Sequence, residues 1–234
     1  DEAKSSFLSV VSHQLRTPLS AIRWSTELLL EENLNKETRE EFLKDNYKNS
    51  IFMIYHLDDM LTALDIEDKK VQLKLEICRF RNIIDDVLAD NNRIIESKKL
   101  KVEIDLDSVS ERLSCDCKKL KKIMEVIFFN AVNYTPQNGR IVISAREKSG
   151  HSKFLEVIIE DNGIGVIEEE QKHIFEKFFR SEEAKKISPN GFGLGLFIAK
   201  SFAEAHRGEI HFESAGRNKG VKFIFTIPIG NTAE

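Results

Sequence analysis

The chain has 234 residues, which leaves room for one or two domains and an ample core. Hydrophobic residues make up 41% and charged residues 32%, and a formal net charge of −4 removes any electrostatic case for nucleic-acid binding. No apolar run approaches the roughly 20 residues of a membrane span, so no membrane contact is expected within the chain.

The opening Asp-Glu-Ala-Lys is polar, unlike a signal peptide, and reads as a helix entered partway, as in a piece of a longer protein. In the first helical pattern Phe7, Val11, Leu15, Leu19, Ile22, Leu29 and Leu30 recur at mostly three- and four-residue steps. A polar connection, Glu31 to Lys36, precedes a second pattern through Phe42, Met53, Leu57, Met60, Leu61 and Leu64. Each helix is about 30 residues, roughly 45 Å at 1.5 Å per residue. Two such helices make a poor core alone, so two hairpins are expected to pair as a four-helix bundle, and the chain as a homodimer.

A charged linker at 65–70 follows. Val71, Leu73, Leu75 and Ile77 then alternate as in a strand, and residues 80–95 carry a helical pattern. Leu100, Val102, Ile104 and Leu106 alternate again, and 116–134 reads as a helix. Residues 141–145 and 155–159 read as strands, 193–206 as a helix, and Val221, Phe223, Phe225 and Ile227 as a closing strand. The expected fold is an α-helical hairpin, residues 1–68, followed by an α+β two-layer sandwich, residues 69–234.

The cysteines are Cys78, Cys115 and Cys117. An odd, sparse set suggests a reduced, cytoplasmic protein. Cys115-Asp-Cys117 lacks the second pair that zinc spacing requires; in a strand its two side chains would share a face and pack.

Ser12-His-Gln-Leu-Arg-Thr-Pro18 sets His13 in an amphipathic helix. Such a histidine is either structural or a phosphate acceptor. Neutral imidazole offers a nucleophilic nitrogen, and a pKa near 6.5 leaves it mostly neutral at pH 7. Pro18 cannot donate the helical bond to the Gln14 carbonyl, so a bend is expected beside the acceptor. Arg16 and Thr17 lie within one turn of His13.

Downstream, Asp161-Asn-Gly-Ile-Gly165 follows an alternating strand. An aspartate at a strand end can accept from a ligand amine, and glycines admit close backbone approach, although a plain turn has the same look. Gly191-Phe-Gly-Leu-Gly195 opens a helix, where amides and dipole favour phosphate; capping or close packing is the alternative. The spacing is not the dinucleotide fingerprint. Between them lies Ile174-Phe-Glu-Lys-Phe-Phe-Arg180 and then a polar, aperiodic stretch to Asn190, which reads as a lid or a surface loop. Upstream, Asn130 sits in an apolar helix, its amide oxygen suited to Mg²⁺ or satisfied at a helix end.

In this order the pieces resemble the catalytic core of the sensor histidine kinases of two-component systems, over nearly the whole chain. The resemblance implies a dimerisation and phosphoacceptor hairpin, then the ATP-binding domain shared with gyrase, Hsp90 and MutL-type ATPases. It implies His13 as phosphoacceptor, with Thr17 where the family's threonine helps hydrolyse the phosphorylated partner. It implies Mg²⁺ at Asn130, the adenine amino group at Asp161 beside Gly163 and Gly165, and Tyr134 in the pocket. Phosphates fall to Arg180 and the loop of Gly191, Gly193, Leu194 and Gly195. Phe175, Phe178 and Phe179 become lid-anchoring aromatics. ATP and Mg²⁺ are the implied cofactors, and a response-regulator receiver domain the implied partner.

The chain departs from the family pattern at three positions. Gln14 stands where an acidic general base usually follows the histidine, a help worth roughly 10²–10⁴-fold. Val126 replaces the first asparagine of a pair, and Asn133 replaces a lysine near the phosphates. These departures raise a second reading, an ATP-binding dimeric regulator with weak or no catalysis. A gyrase-class ATPase clamp is a third, against which the His13 hairpin argues. Gln14 with Thr17 can still orient a water, so dephosphorylation of the partner is expected to persist.

Overall fold

The computed structural model describes residues 2–31, 34–149, 153–188 and 191–229. They form two compact units, Asp1–Asp65 and Ile66–Glu234.

The first unit is a helical hairpin. Helix α1, Glu2–Leu29, runs through Pro18, and α2 is Lys36–Glu67. Asn35 caps α2, its Oδ1 accepting from the Thr38 amide at 2.8 Å. The antiparallel register is held by polar contacts. Ser25 Oγ lies 2.5 Å from Asn46 Oδ1, and Asn46 Nδ2 donates to Thr26 Oγ1 at 3.1 Å. Trp24 packs edge-on to Phe42, with centroids 5.9 Å apart. One hairpin leaves much apolar surface uncovered: Leu43, Ile54, Leu57 and Leu61 are each about half exposed.

In the second unit β1, Glu76–Cys78, leads to α3, Phe80–Lys98. Next come β2, Lys101–Ser108, and β3, Leu113–Cys115; then α4, Cys117–Tyr134. Strands β4, Arg140–Ser149, and β5, Lys153–Asp161, precede two short helices, α5, Glu168–Gln171, and α6, Glu182–Ile187. Helix α7, Gly195–Ala205, then β6, Glu209–Glu213, and β7, Val221–Pro228, complete it. The main sheet runs β2-β4-β5-β7-β6, with β2 parallel to β4 and the other pairs antiparallel; β1 pairs separately with β3.

Strand parity builds the core. Ile141 and Ile143 of β4, Leu155, Val157 and Ile159 of β5, and Phe225 and Ile227 of β7 are all buried. Across from them lie Ile84 and Val87 of α3, Leu120, Ile123, Met124, Ile127 and Phe128 of α4, and Ile198 and Ala199 of α7. This is the two-layer α+β arrangement expected from the alternation.

Four expectations are corrected. The strand read from Val71 onward shrinks to Glu76–Cys78, because its alternating residues are not buried: Leu75 and Ile77 are 63% and 47% exposed. Cys115 and Cys117 do not share a strand face. Asp116 turns the chain as the N-cap of α4, accepting from the Lys119 amide at 3.0 Å, so Cys115 ends a strand and Cys117 starts a helix. Nor are all thiols reduced, since Cys78 and Cys117 form a disulfide. The lid stretch read as aperiodic contains α6, capped by Ser181.

Candidate functional site

The site is organised by the C-terminal half of α4. Because β5 buries its odd-numbered residues, parity carries Asp161, the last of the strand, into the helix layer, where it is 8% exposed. Its Oδ1 accepts from the Gly163 amide at 2.8 Å. Burial pushes the carboxyl up to about 6, against the backbone amides of Gly163 and Val221, which favour the charged form. An aspartate held at that balance can present an acceptor to a ligand amine.

Gly163 is required by close approach. A Cβ there would lie 2.6 Å from the Tyr134 carbonyl oxygen and 2.7 Å from Asp161 Oδ1. The same carbonyl accepts from the Ile164 amide at 3.2 Å, so the end of α4 and the turn after β5 are mutually registered. From the other side the 214–220 loop braces this turn. Ser214 Oγ accepts from the Val166 amide at 3.0 Å and donates to the Gly220 carbonyl at 2.8 Å, while the Gly220 amide donates to Gly163.

The glycine segment meets α4 two turns earlier. A Cβ on Gly195 would lie 3.1 Å from Val126 Cγ1, so Val126 serves as the packing surface for the start of α7. Leu194 is 1% exposed and anchors the segment; as N-cap it offers no side-chain bond to the first amides of α7, and no acidic residue follows in the first turn. Amides at such a start can bind an anion. Gly193 has φ +71° and a would-be Cβ 2.6 Å from the Phe179 carbonyl oxygen, and its own carbonyl accepts from the Phe178 amide at 2.9 Å.

Arg180 is engaged with the α6 segment. Its guanidinium donates to the Gly191 and Ala184 carbonyls, each at 3.0 Å, and to that of Ser188. It thus gathers α6 and the glycine loop. Phe175 packs on Phe212 of β6, which ties the Phe-rich segment to the sheet, and Phe179 packs locally on His173. Asn130, Asn133 and Tyr134 are all partly exposed on α4, so Asn130 is not the buried amide its apolar neighbours suggested.

In the hairpin, His13 and Gln14 occupy backbone positions of α1, and their side chains lie outside the described residues. Arg16 and Thr17, one turn on, are exposed, and Pro18 is buried.

Residues 115–231 match the family model described as histidine kinase-, DNA gyrase B- and HSP90-like ATPase. The chain belongs to this ATPase family. Residues 3–69 match the His Kinase A phospho-acceptor domain, so the two together make the catalytic core of a two-component sensor histidine kinase. Among relatives is sensor histidine kinase WalK of Bacillus subtilis, 30% identical over 97% of this chain and 37% of its own length. Histidine kinase AdeS of Acinetobacter baumannii superposes with a TM-score of 0.69, at 22% identity over 94% of this chain and 98% of that one. Histidine kinase ThkA, solved in complex with response regulator protein TrrA, gives 0.68 at 21% identity, covering 96% and 61%. This chain therefore spans little more than a third of the WalK relative.

Within the sensor-kinase core, sequence reasoning passed over Lys98. Its ammonium reaches from the end of α3 to the carbonyls of Val132, Asn133 and Thr135 at 2.9, 2.6 and 3.1 Å, closing the end of α4 where Tyr134 sits. Ser214 and Gly220 were likewise passed over as site residues. None carries a local signal, because each acts on a segment tens of residues away.

Proposed function

We propose that this chain binds ATP with Mg²⁺, phosphorylates His13 and passes the phosphoryl group to an aspartate of a response-regulator receiver domain. The observation that carries the reading is the double registration of α4. Tyr134 closes on Gly163 beside Asp161, and Val126 underlies Gly195 at the start of α7. Eight residues, about 12 Å of helix, separate the two contacts. A nucleotide lying along this stretch would meet an amine acceptor at one end and phosphate-binding amides at the other.

Each residue then has a physical task. Asp161 accepts from the adenine amine, and Tyr134 lines the base. Gly191, Gly193, Leu194 and Gly195 bring amides to the phosphates. Asn133 is polar but uncharged, so positive charge must come from elsewhere. Arg180 is the source on the glycine-loop side, its guanidinium donating to the Gly191 carbonyl. The partly exposed Asn130 offers one hard amide oxygen, which suits Mg²⁺, an ion that keeps most of its waters and takes phosphate oxygens. Mg²⁺ there would neutralise charge developing on the phosphates.

In the hairpin the neutral imidazole of His13 is the nucleophile, and Thr17, exposed one turn away, orients water for the reverse hydrolysis. The half-exposed Leu43, Ile54, Leu57 and Leu61 supply the apolar face of a homodimeric four-helix bundle. That WalK and AdeS are named histidine kinases, and that ThkA was solved with a response regulator, supports the partner assignment. The functional division is taken at residues 68 and 69. Among the described residues no helix is long and apolar enough to cross a membrane. The use of ATP supports a cytoplasmic location for this part of the protein.

The test is incubation of the chain with γ-labelled ATP and Mg²⁺, followed by assay for acid-labile, alkali-stable label. Label in the wild type and none in His13→Ala is expected. Its absence from wild type, or its persistence in the variant, refutes the proposal.

A further inference from the structure

All three cysteines of this chain meet at one point of the second unit. Cys78 ends β1, Cys115 ends β3 and Cys117 is the first residue of α4. Cys78 and Cys117 are bridged across 39 residues, and Cys115 Sγ lies 3.3 Å from Cys78 Sγ.

The three sulfurs have different surroundings. Cys117 is partly exposed and sits in the first turn of an 18-residue helix, where free amides and the helix dipole stabilise a thiolate. Cys78 and Cys115 are 2% and 0% exposed. Burial first, then the charges of Asp116 and Glu76, push the Cys115 thiol up to about 12, so it keeps its proton. Cys115 is thereby a protonated donor aimed at Cys78. The cytoplasm, where the proposed ATP chemistry puts this chain, keeps thiols reduced. Disulfides found there are usually transient, catalytic or redox-sensing.

We propose that Cys78, Cys115 and Cys117 form a reversible thiol–disulfide exchange site, opened by dithiol reductants through attack at Cys117. One thiolate of the dithiol bonds to Cys117 Sγ, and the Cys117–Cys78 bond breaks with its electron pair going to Cys78. That buried sulfur would be costly as a bare thiolate; the Cys115 thiol donates to it until it takes up a proton. The second thiol of the reductant, as thiolate, attacks its own partner sulfur in the mixed disulfide. Cys117 departs as thiolate and the reductant closes as a cyclic disulfide. The bridge gains two electrons, and the reductant loses two.

Opening unfastens β1 from α4. Contacts that remain include its three-residue pairing with β3 and the bond from the Lys74 amide to Asp116 Oδ2 at 2.9 Å. The segment that follows the hairpin thus has a covalent anchor that reductant removes. This assignment of a redox role rests on the cytoplasmic kinase reading above, although the exchange chemistry does not.

The experiment uses the full chain, purified without reductant, with dithiothreitol as the probe. Alkylation after denaturation should find one free thiol before treatment, at Cys115, and three after it, with Cys117 alkylated first under native conditions. Cys115→Ala should slow the opening roughly tenfold or more, and Cys115→Ser, which keeps a donor, should restore most of the rate. Hydrogen exchange at residues 74–78 should rise on opening in the wild type. Three free thiols in the untreated protein, or equal opening rates in wild type and Cys115→Ala, overturns the proposal. The phosphohistidine assay is run on the same samples. An exchange site without phosphohistidine sinks only the kinase reading, and phosphohistidine with three free thiols sinks only this one.

Discussion

Replacing Asp161 with asparagine separates what the carboxylate costs the fold from what it gives the ligand. The carboxyl is 8% exposed, and burial raises it from 3.8 to about 6. The acid form is therefore favoured in the folded chain, and folding takes up a proton between those two values. Stability from this group is fully present below pH 3.8 and is lost as pH rises through about 6. The gap of roughly two pH units corresponds to about 3 kcal/mol of penalty on the ionised form above pH 6, as an upper bound. Asparagine keeps the volume and an oxygen to accept from Gly163, but its NH₂ needs a partner, at a cost of about 1–3 kcal/mol. Asp161→Asn is expected to equal the wild type or exceed it by up to about 2 kcal/mol at pH 8. As pH falls through 6 towards 4, that difference should shift by about 3 kcal/mol in favour of the wild type. Urea midpoints across pH 4 to 8 measure it. ATP should bind the variant at least about tenfold more weakly at pH 8, because the charged acceptor is gone, and wild-type affinity should itself decline below about pH 6. A stability difference independent of pH would show that the penalty does not come from ionising a buried acid.

Gly163→Ala must push a methyl against the Tyr134 carbonyl and Asp161 Oδ1; a loss of about 1–3 kcal/mol in stability and of most nucleotide binding is expected by fluorescent-nucleotide titration. Lys98→Met strands three carbonyls at the end of α4, so the KM for ATP should rise more than kcat falls, with Lys98→Arg partly restoring it. Unchanged KM in Lys98→Met would show that the clamp is dispensable to the site. Gln14→Glu gives His13 an acidic neighbour, and phosphohistidine should form at least about tenfold faster in rapid-quench labelling. Arg180→Ala releases the lid carbonyls, and limited proteolysis should cut within 182–188 faster in the variant.

Much of this protein is determined by local pattern. Three- and four-residue spacing encodes α1 to α4, because a helix buries one stripe. Alternation encodes β4, β5 and β7, because a sheet with helices on one side buries every second residue. Asp161 follows from that alternation: as the odd-numbered end of β5 it belongs to the helix layer. The glycines at 163 and 193 are legible as turns, although the carbonyls that forbid a Cβ there, from Tyr134 and Phe179, belong to distant segments. The strand order β2-β4-β5-β7-β6 is not local, nor are the short β3 and β6, which have too few residues to show a period. Tertiary structure alone decided that Val126 is a packing surface for Gly195, that Lys98 closes α4, and that Arg180 joins α6 to the glycine segment. It also brought Cys78 to Cys117, because the pairing of β1 with β3 delivers one sulfur to the end of a strand and Asp116 turns the other into a helix. Periodicity records which face of an element is buried; only the packed chain decides which face it is buried against.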